Sequence, residues 1–256
     1  MSHVKFLDIP ERDRATIFEQ TSNVKSVPSF AVEKDWWVVQ ALTAVDQDPR
    51  IIEIYYPNVI KPKGYLEPKI QVELGCRSLR DPFTDKTFTS FVDEAFDDRY
   101  FTQHALSVPS VNPERTFLEK VFLLHEEFQK PIAKIRVDRL SRHLYDVYHL
   151  SKTPYADDAL ENQDLYEAIV HHRHEFTRIG GVNYNYHNPQ TINPIPLTEV
   201  IGEWKADYGK MLEEMIYEPE APNFEEIIEG LTTLGSKINS LTWRVKATYP
   251  DPNPIK

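Results

Sequence analysis

The residues best placed to do chemistry lie in VNPERTFLEKVFLLHEEFQKPIAKIRVDRLSRHLYDVYHL, residues 111–150. Phe117, Val121, Leu124 and Phe128 recur at helical intervals, and Lys120 sits just beside that stripe. After Pro131, the apolar line Leu140, Leu144 and Val147 is flanked by Arg139, His143, Asp146 and Leu150. A lysine, a histidine and a carboxylate at the edges of apolar faces have the types needed to hold an anion or orient a cation. The same residues also suit a structural ion pair at the border of a core.

Other residues invite the same question. Glu33, Lys34 and Asp35 fall together early in the helical stretch FAVEKDWWVVQAL. Two carboxylates near a helix N-terminus with a solvated lysine explain them as well as a functional role does. Glu73, in the alternating run PKIQVELGC, is either a ligand presented by a strand or a solvent-facing residue. His171, His174 and Glu175 suggest metal ligands, but their spacing is not H-E-x-x-H, and a polar helix surface explains them better.

The elements positioning these residues can be read from periodicity. A short helix is expected over 9–20, with Ala15, Ile17 and Phe18 among charges. A second follows the turn at Pro28, with Phe30, Val32, Trp36, Val39 and Leu42 on one face. RIIEIYYP and PKIQVELGC read as strands, the second turning Ile70, Val72 and Leu74 one way and Gln71 and Glu73 the other. Two further strands are expected around Thr87–Phe91 and Ala105–Val108. Asn112 and Pro113 open the first central helix as N-cap and first-turn proline. A helix over 164–179 ends at Gly180-Gly181, and Val182–Pro196 is a loop rich in proline and asparagine. Val200, Trp204, Tyr208, Met211 and Met215 mark another helix, and Phe224–Leu241 the last. These divide the chain into an α/β domain over 1–110, a helical domain over 111–241 and a disordered tail over 242–256, where Pro250, Pro252 and Pro254 cluster.

Composition narrows the function. The chain has 256 residues, 41% hydrophobic and 12% aromatic, enough to bury a core as one large domain or two small ones. Its net charge of -11 argues against bulk-charge affinity for nucleic acid, so any such contact is local. The lone Cys76 allows no internal disulfide, which fits a reducing cytoplasm. No run approaches the roughly 20 apolar residues of a membrane span, and the charged start lacks a signal peptide's apolar region, so a protein neither inserted nor exported is expected. There is no G-x-x-x-x-G-K-(S/T), G-x-G-x-x-G or G-x-S-x-G, and Cys76 has no evident activating partner.

In its order of EKDWWVVQAL, KIQVELG, NPERTFLEKVFLLHEEF and RLSRHLYDVYHL, the chain resembles the AbiEii/AbiGii nucleotidyltransferase toxins over most of residues 28–240. The resemblance implies an α+β fold: a polymerase-β-like nucleotidyltransferase core with a mixed sheet, followed by a mainly helical domain. It also implies a toxin of a bacterial toxin–antitoxin system, acting in phage defence by abortive infection. The expected partners are an antitoxin encoded nearby, an NTP, and a tRNA or protein acceptor. By resemblance, Glu73 is a carboxylate of a Mg²⁺ site and Lys120 a phosphate-contacting lysine, and Asp146 would orient Lys120 or Arg142 by a charge-assisted hydrogen bond. Arg142 and His143 belong to the polar signature of the later helix, and Lys34 to the first-helix triplet, both on the substrate side.

One part of the family pattern is missing. Members carry G-G-(S/T)-x-L and then S-x-D-x-D between the first helix and the later strands. Here Ala41–Val45 runs directly into Asp46-Gln47-Asp48-Pro49, and Gly180-Gly181 is followed by a stretch without aspartate. Asp46 and Asp48 have no glycine turn before them, and Pro49 marks a surface turn. One carboxylate without the other two does not assemble a two-ion site. The sequence therefore predicts an impaired enzyme, or a non-catalytic remnant that binds antitoxin or nucleotide. The core is expected to be truncated, with a small sheet whose exposed edge favours self-association.

Overall fold

The computed structural model describes residues 6–42, 51–60, 68–73, 82–96 and 105–252. The elements in order are α1 (Glu11–Lys25), α2 (Ser29–Leu42), β1 (Ile51–Tyr55), β2 (Lys69–Glu73), β3 (Phe83–Phe88), α3 (Phe91–Ala95), β4 (Leu106–Val111), α4 (Pro113–Phe128), α5 (Ser141–Ser151), α6 (Pro154–Glu161), α7 (Gln163–Phe176), α8 (Ile201–Glu214) and α9 (Phe224–Asn239). The class is α+β with a helical majority, as expected. The described strands form two two-stranded ladders, β1–β2 and β3–β4. No helix among the described residues is long and apolar enough to cross a membrane.

The chain divides into two compact units. The first holds residues 1–76, 84–110 and 217–219. Its core joins Phe6, Phe18, Val32, Trp36 and Val92, with the Phe6 and Trp36 rings 4.6 Å apart. Val32, Trp36 and Val39 are buried at the spacing expected of α2. β1 and β2 pair antiparallel with Ile54 opposite Ile70 and Ile52 opposite Val72. Ile54, Ile70 and Val72 pack with Trp37 and Tyr56, whose rings stack at 5.1 Å. Gln71 is exposed on the other face, so the pleat of β2 alternates as the pattern required.

The strand expected at Thr87–Phe91 is displaced. β3 ends at Phe88, and Phe91 opens α3. The cause is local: the Ser90 hydroxyl accepts from the Asp93 amide while the Asp93 carboxylate accepts from the Ser90 amide, a capping box that starts a helix.

The second unit holds residues 77–83, 111–216 and 220–256. α4 is its axis, and burial on that helix extends beyond the predicted stripe. Phe117, Leu118, Phe122 and Leu124 are fully buried, and so are Glu126 and Glu127. Asn112 stands at the N-cap position of α4 but makes no side-chain cap bond, while Pro113 occupies the first turn. Leu144 and Val147 of α5 pack into the same core as Trp204, Tyr208, Ile227 and Leu231. α9 begins with a capping box between Asn223 and Glu226. Its Gly230 lies so close to Tyr148 of α5 that a Cβ there would come within 2.6 Å of the ring.

Residues 242–252, expected to be disordered, are instead tied down. Gln190 donates its side-chain amide to the carbonyls of Leu241 and Trp243. The Asn188 side chain accepts from the Val245 amide at 2.9 Å, and Asn185 both accepts from and donates to the Tyr249 backbone at 2.9 Å. Leu241, Trp243 and Val245 turn inward in alternation, and Tyr249 is buried. The loop's amides satisfy backbone groups that the prolines cannot place in a sheet.

Candidate functional site

Helices α4 and α5 bring together three of the predicted residues. α4 offers Lys120 from the flank of its buried face, and α5 offers His143 and Asp146 one turn apart on the flank of Leu144 and Val147. Lys120 Nζ donates to Asp146 Oδ2 at 2.7 Å and lies 3.4 Å from His143 Nδ1. The pair is neither sealed nor open, with side-chain exposures of 25% for Lys120 and 39% for Asp146. An approaching anion can therefore reach the ammonium without a cavity having to open.

The histidine is held neutral. Burial, then the positive charges of Lys120 and Arg142, pull His143 down to about 4, against the opposing pull of Asp146. At neutral pH its Nδ1 thus keeps a lone pair facing the Lys120 ammonium, with the ring proton on Nε2. Arg136 adds a further cation to this field. Arg142 points outward, exposed, beside His143. Asp146 answers Lys120 and Glu127 answers Arg136, so two carboxylates stand with the three cations of this flank.

The remaining predicted residues are carried by the first unit. In the first unit, Glu33 is buried, and its carboxylate accepts from the amides of Val59 and Ile60, each at 3.0 Å. Burial raises its pKa, and those two amides oppose the rise. Asp35 accepts from the Phe91 amide at 2.7 Å. Both acids of the triplet thus anchor loops, and Lys34 between them is half-buried. Glu73 ends β2, and its side chain lies outside the described residues, as do Asp46 and Asp48.

A second polar cluster escaped the sequence reading. Glu126, fully buried, receives a bidentate bond from Arg173 of α7 and a 3.2 Å bond from His187 Nε2. Burial alone would raise the carboxyl, yet Arg173 and His187 hold it at about 2. His125 is pushed down to about 3 by burial and by His187. Its Nδ1 accepts from the Asn193 amide at 3.0 Å, which requires a neutral ring. The signal was HEEF followed 47 residues later by Arg173, but neither stretch alone says that the glutamate turns inward. Glu127, also buried, accepts from Arg136 and Lys130. Both clusters bind α4 to its surroundings.

Among the described residues no group of three histidine, cysteine or acidic side chains is placed to hold a metal ion. His174 Nδ1 meets Glu175 at 2.8 Å, while His171 is exposed. Asp146 is paired with Lys120, and the buried Glu126 and Glu127 with arginines, so these three carboxylates do not fit a Mg²⁺ site.

A family model described as the nucleotidyl transferase AbiEii toxin of type IV toxin–antitoxin systems matches residues 13–230. No curated protein and no solved structure matches the chain.

Proposed function

The chain belongs to the AbiEii nucleotidyl transferase toxin family of type IV toxin–antitoxin systems, and on that footing we propose that its helical unit carries the phosphate-binding half of a nucleotidyl-transfer site. The observation behind this reading is the Lys120 ammonium, partly exposed and held between Asp146 and the neutral ring of His143.

In the reaction proposed, an acceptor hydroxyl attacks the α-phosphorus of an NTP. The α–β phosphoanhydride bond breaks, and the nucleotide stays on the acceptor as pyrophosphate leaves. Lys120 meets the negative charge that gathers on that leaving group. Asp146 fixes the direction of its amine, and His143 accepts without adding a competing charge. Arg142 supplies a second, exposed cation. Two-ion chemistry in such transfers polarises the phosphates when Mg²⁺ is bound. No step here is routed through it, because Asp146, Glu126 and Glu127 are each paired with a cation.

Between α2 and β1 the chain lacks the G-G-(S/T)-x-L and S-x-D-x-D segments that accompany this chemistry. Transfer is accordingly weak in this reading, with NTP binding better preserved. The acceptor is a tRNA or a protein, and the partner a type IV antitoxin whose toxin acts in abortive infection against phage.

The same missing segment favours a second reading, in which the chain binds antitoxin or nucleotide and transfers nothing. Incubation with each labelled NTP, Mg²⁺ and total tRNA separates the two. Label appearing on an acceptor, and lost in Lys120→Ala, supports transfer. Nucleotide retained without transfer supports the binding module, and neither binding nor transfer rejects both.

A further inference from the structure

The start of α5 is held in an unusual way. Leu140, at the N-cap position, has helical backbone angles and offers no side-chain bond to the first turn. Arg139 before it has φ 61°, in the left-handed region that disfavours side chains with a Cβ. Such strain persists only where surrounding contacts enforce it.

The contact here comes from a different helix. Asp207 of α8 accepts from the Arg139 amide through Oδ1 at 2.9 Å and from the Ser141 amide through Oδ2 at 3.0 Å. Both bonds are charge-assisted, and the carboxylate sits at the positive end of the α5 dipole. The His143 amide then closes onto the Leu140 carbonyl at 2.9 Å, joining this clamp to the turn that bears the histidine. One turn later comes Asp146. Any slide or rotation of α5 at this end moves both side chains relative to Lys120 on α4.

We propose that Asp207 is a positioning residue for the Lys120 site: by enforcing the strained turn at Arg139 it sets the register of α5 against α4, and so the placement of His143 and Asp146. The functional side of this inference rests on the reading of Lys120 as the cation that meets nucleotide phosphates. Its geometric side does not.

The test compares wild type with Asp207→Ala, Asp207→Asn and Asp207→Ala/Arg139→Gly, reading His143 by NMR titration and ATP and GTP binding by calorimetry. The charges facing His143 are Lys120 from α4, Arg136 from the preceding turn, and Arg142 and Asp146 from α5. In wild type, burial and the neighbouring cations are expected to hold the ring midpoint well below its ordinary value, at about 4. Asp207→Ala is expected to move the midpoint up toward the ordinary value and to weaken nucleotide binding at least fivefold. Asp207→Asn, which keeps one acceptor oxygen, gives a smaller shift in the same direction and serves if the alanine variant does not fold. Arg139→Gly removes the strain and returns part of both losses. Unchanged titration and binding in both Asp207 variants overturns the proposal and leaves Asp207 a helix cap. If wild type binds no nucleotide but the His143 midpoint still moves, the positioning stands and the nucleotide reading falls.

Discussion

Lys120 donates to Asp146 across 2.7 Å, joining α4 to α5 at a place that solvent reaches. A pair this exposed contributes no more than about 1 kcal/mol to stability. Asp146→Asn should therefore leave the urea midpoint nearly unchanged while reducing nucleotide transfer or binding by roughly tenfold or more. A large stability loss with unaltered nucleotide binding would mark the pair as structural.

The Glu126–Arg173 pair is the opposite case, because it is buried. Removing Arg173 leaves an uncompensated carboxylate, and Arg173→Ala is expected to cost about 3–5 kcal/mol in urea unfolding. Glu126→Gln/Arg173→Met, which removes both charges at similar volume, should recover much of that loss.

Acid should weaken the second unit in two windows. His125 is held near 3 in the fold, below its ordinary value of 6.5, so the unfolded chain takes up its proton first. Stability from this group is full above 6.5 and falls as pH drops toward 3. Glu126 is held near 2, below 4.5, so its contribution is present above 4.5 and is lost as pH falls through 2. Equilibrium unfolding from pH 8 to pH 3 should show the first loss. His125→Asn should flatten it while lowering stability at pH 7.

Gly230 permits the approach of α9 to Tyr148. Gly230→Ala gains helix propensity of about 1 kcal/mol, but must displace the ring. The crowding should win, with a net loss of about 1–2 kcal/mol by thermal or urea melting. Tyr148→Leu in the same background should recover part of it. A stabilised Gly230→Ala would show that the ring moves aside freely.

The C-terminal segment depends on side-chain amides. Asn185→Ala removes both bonds to Tyr249, and hydrogen exchange over 242–252 should accelerate at least tenfold while α4 stays protected. Equal protection in the variant would place the hold elsewhere.

What the sequence made legible follows from how locally each feature is encoded. The apolar lines of α4 and α5 announce themselves through their period, and Ile70 and Val72 through alternation. The capping box at Ser90–Asp93 was written in the sequence, and a strand pattern beside it obscured it. Glu126 was not legible, because its burial depends on Arg173 and His187, which reach it only in three dimensions. The order of residues 242–252 was hidden for the same reason: the prolines are local, but the amides of Asn185, Asn188 and Gln190 are some fifty or more residues away. Sequence reasoning left Asp146 to orient either Lys120 or Arg142, since periodicity placed each residue on a flank without naming what it faced, and the fold brings Lys120 to it.

The central claim is that Lys120 meets the phosphates of a nucleotide, and calorimetric titration of ATP and GTP into wild type and Lys120→Ala tests it most directly. The account predicts measurable binding of at least one nucleotide by wild type, weakened tenfold or more in Lys120→Ala, with both proteins melting within a few degrees of each other. Equal affinity in the two proteins, or no binding by a folded wild type, would contradict it.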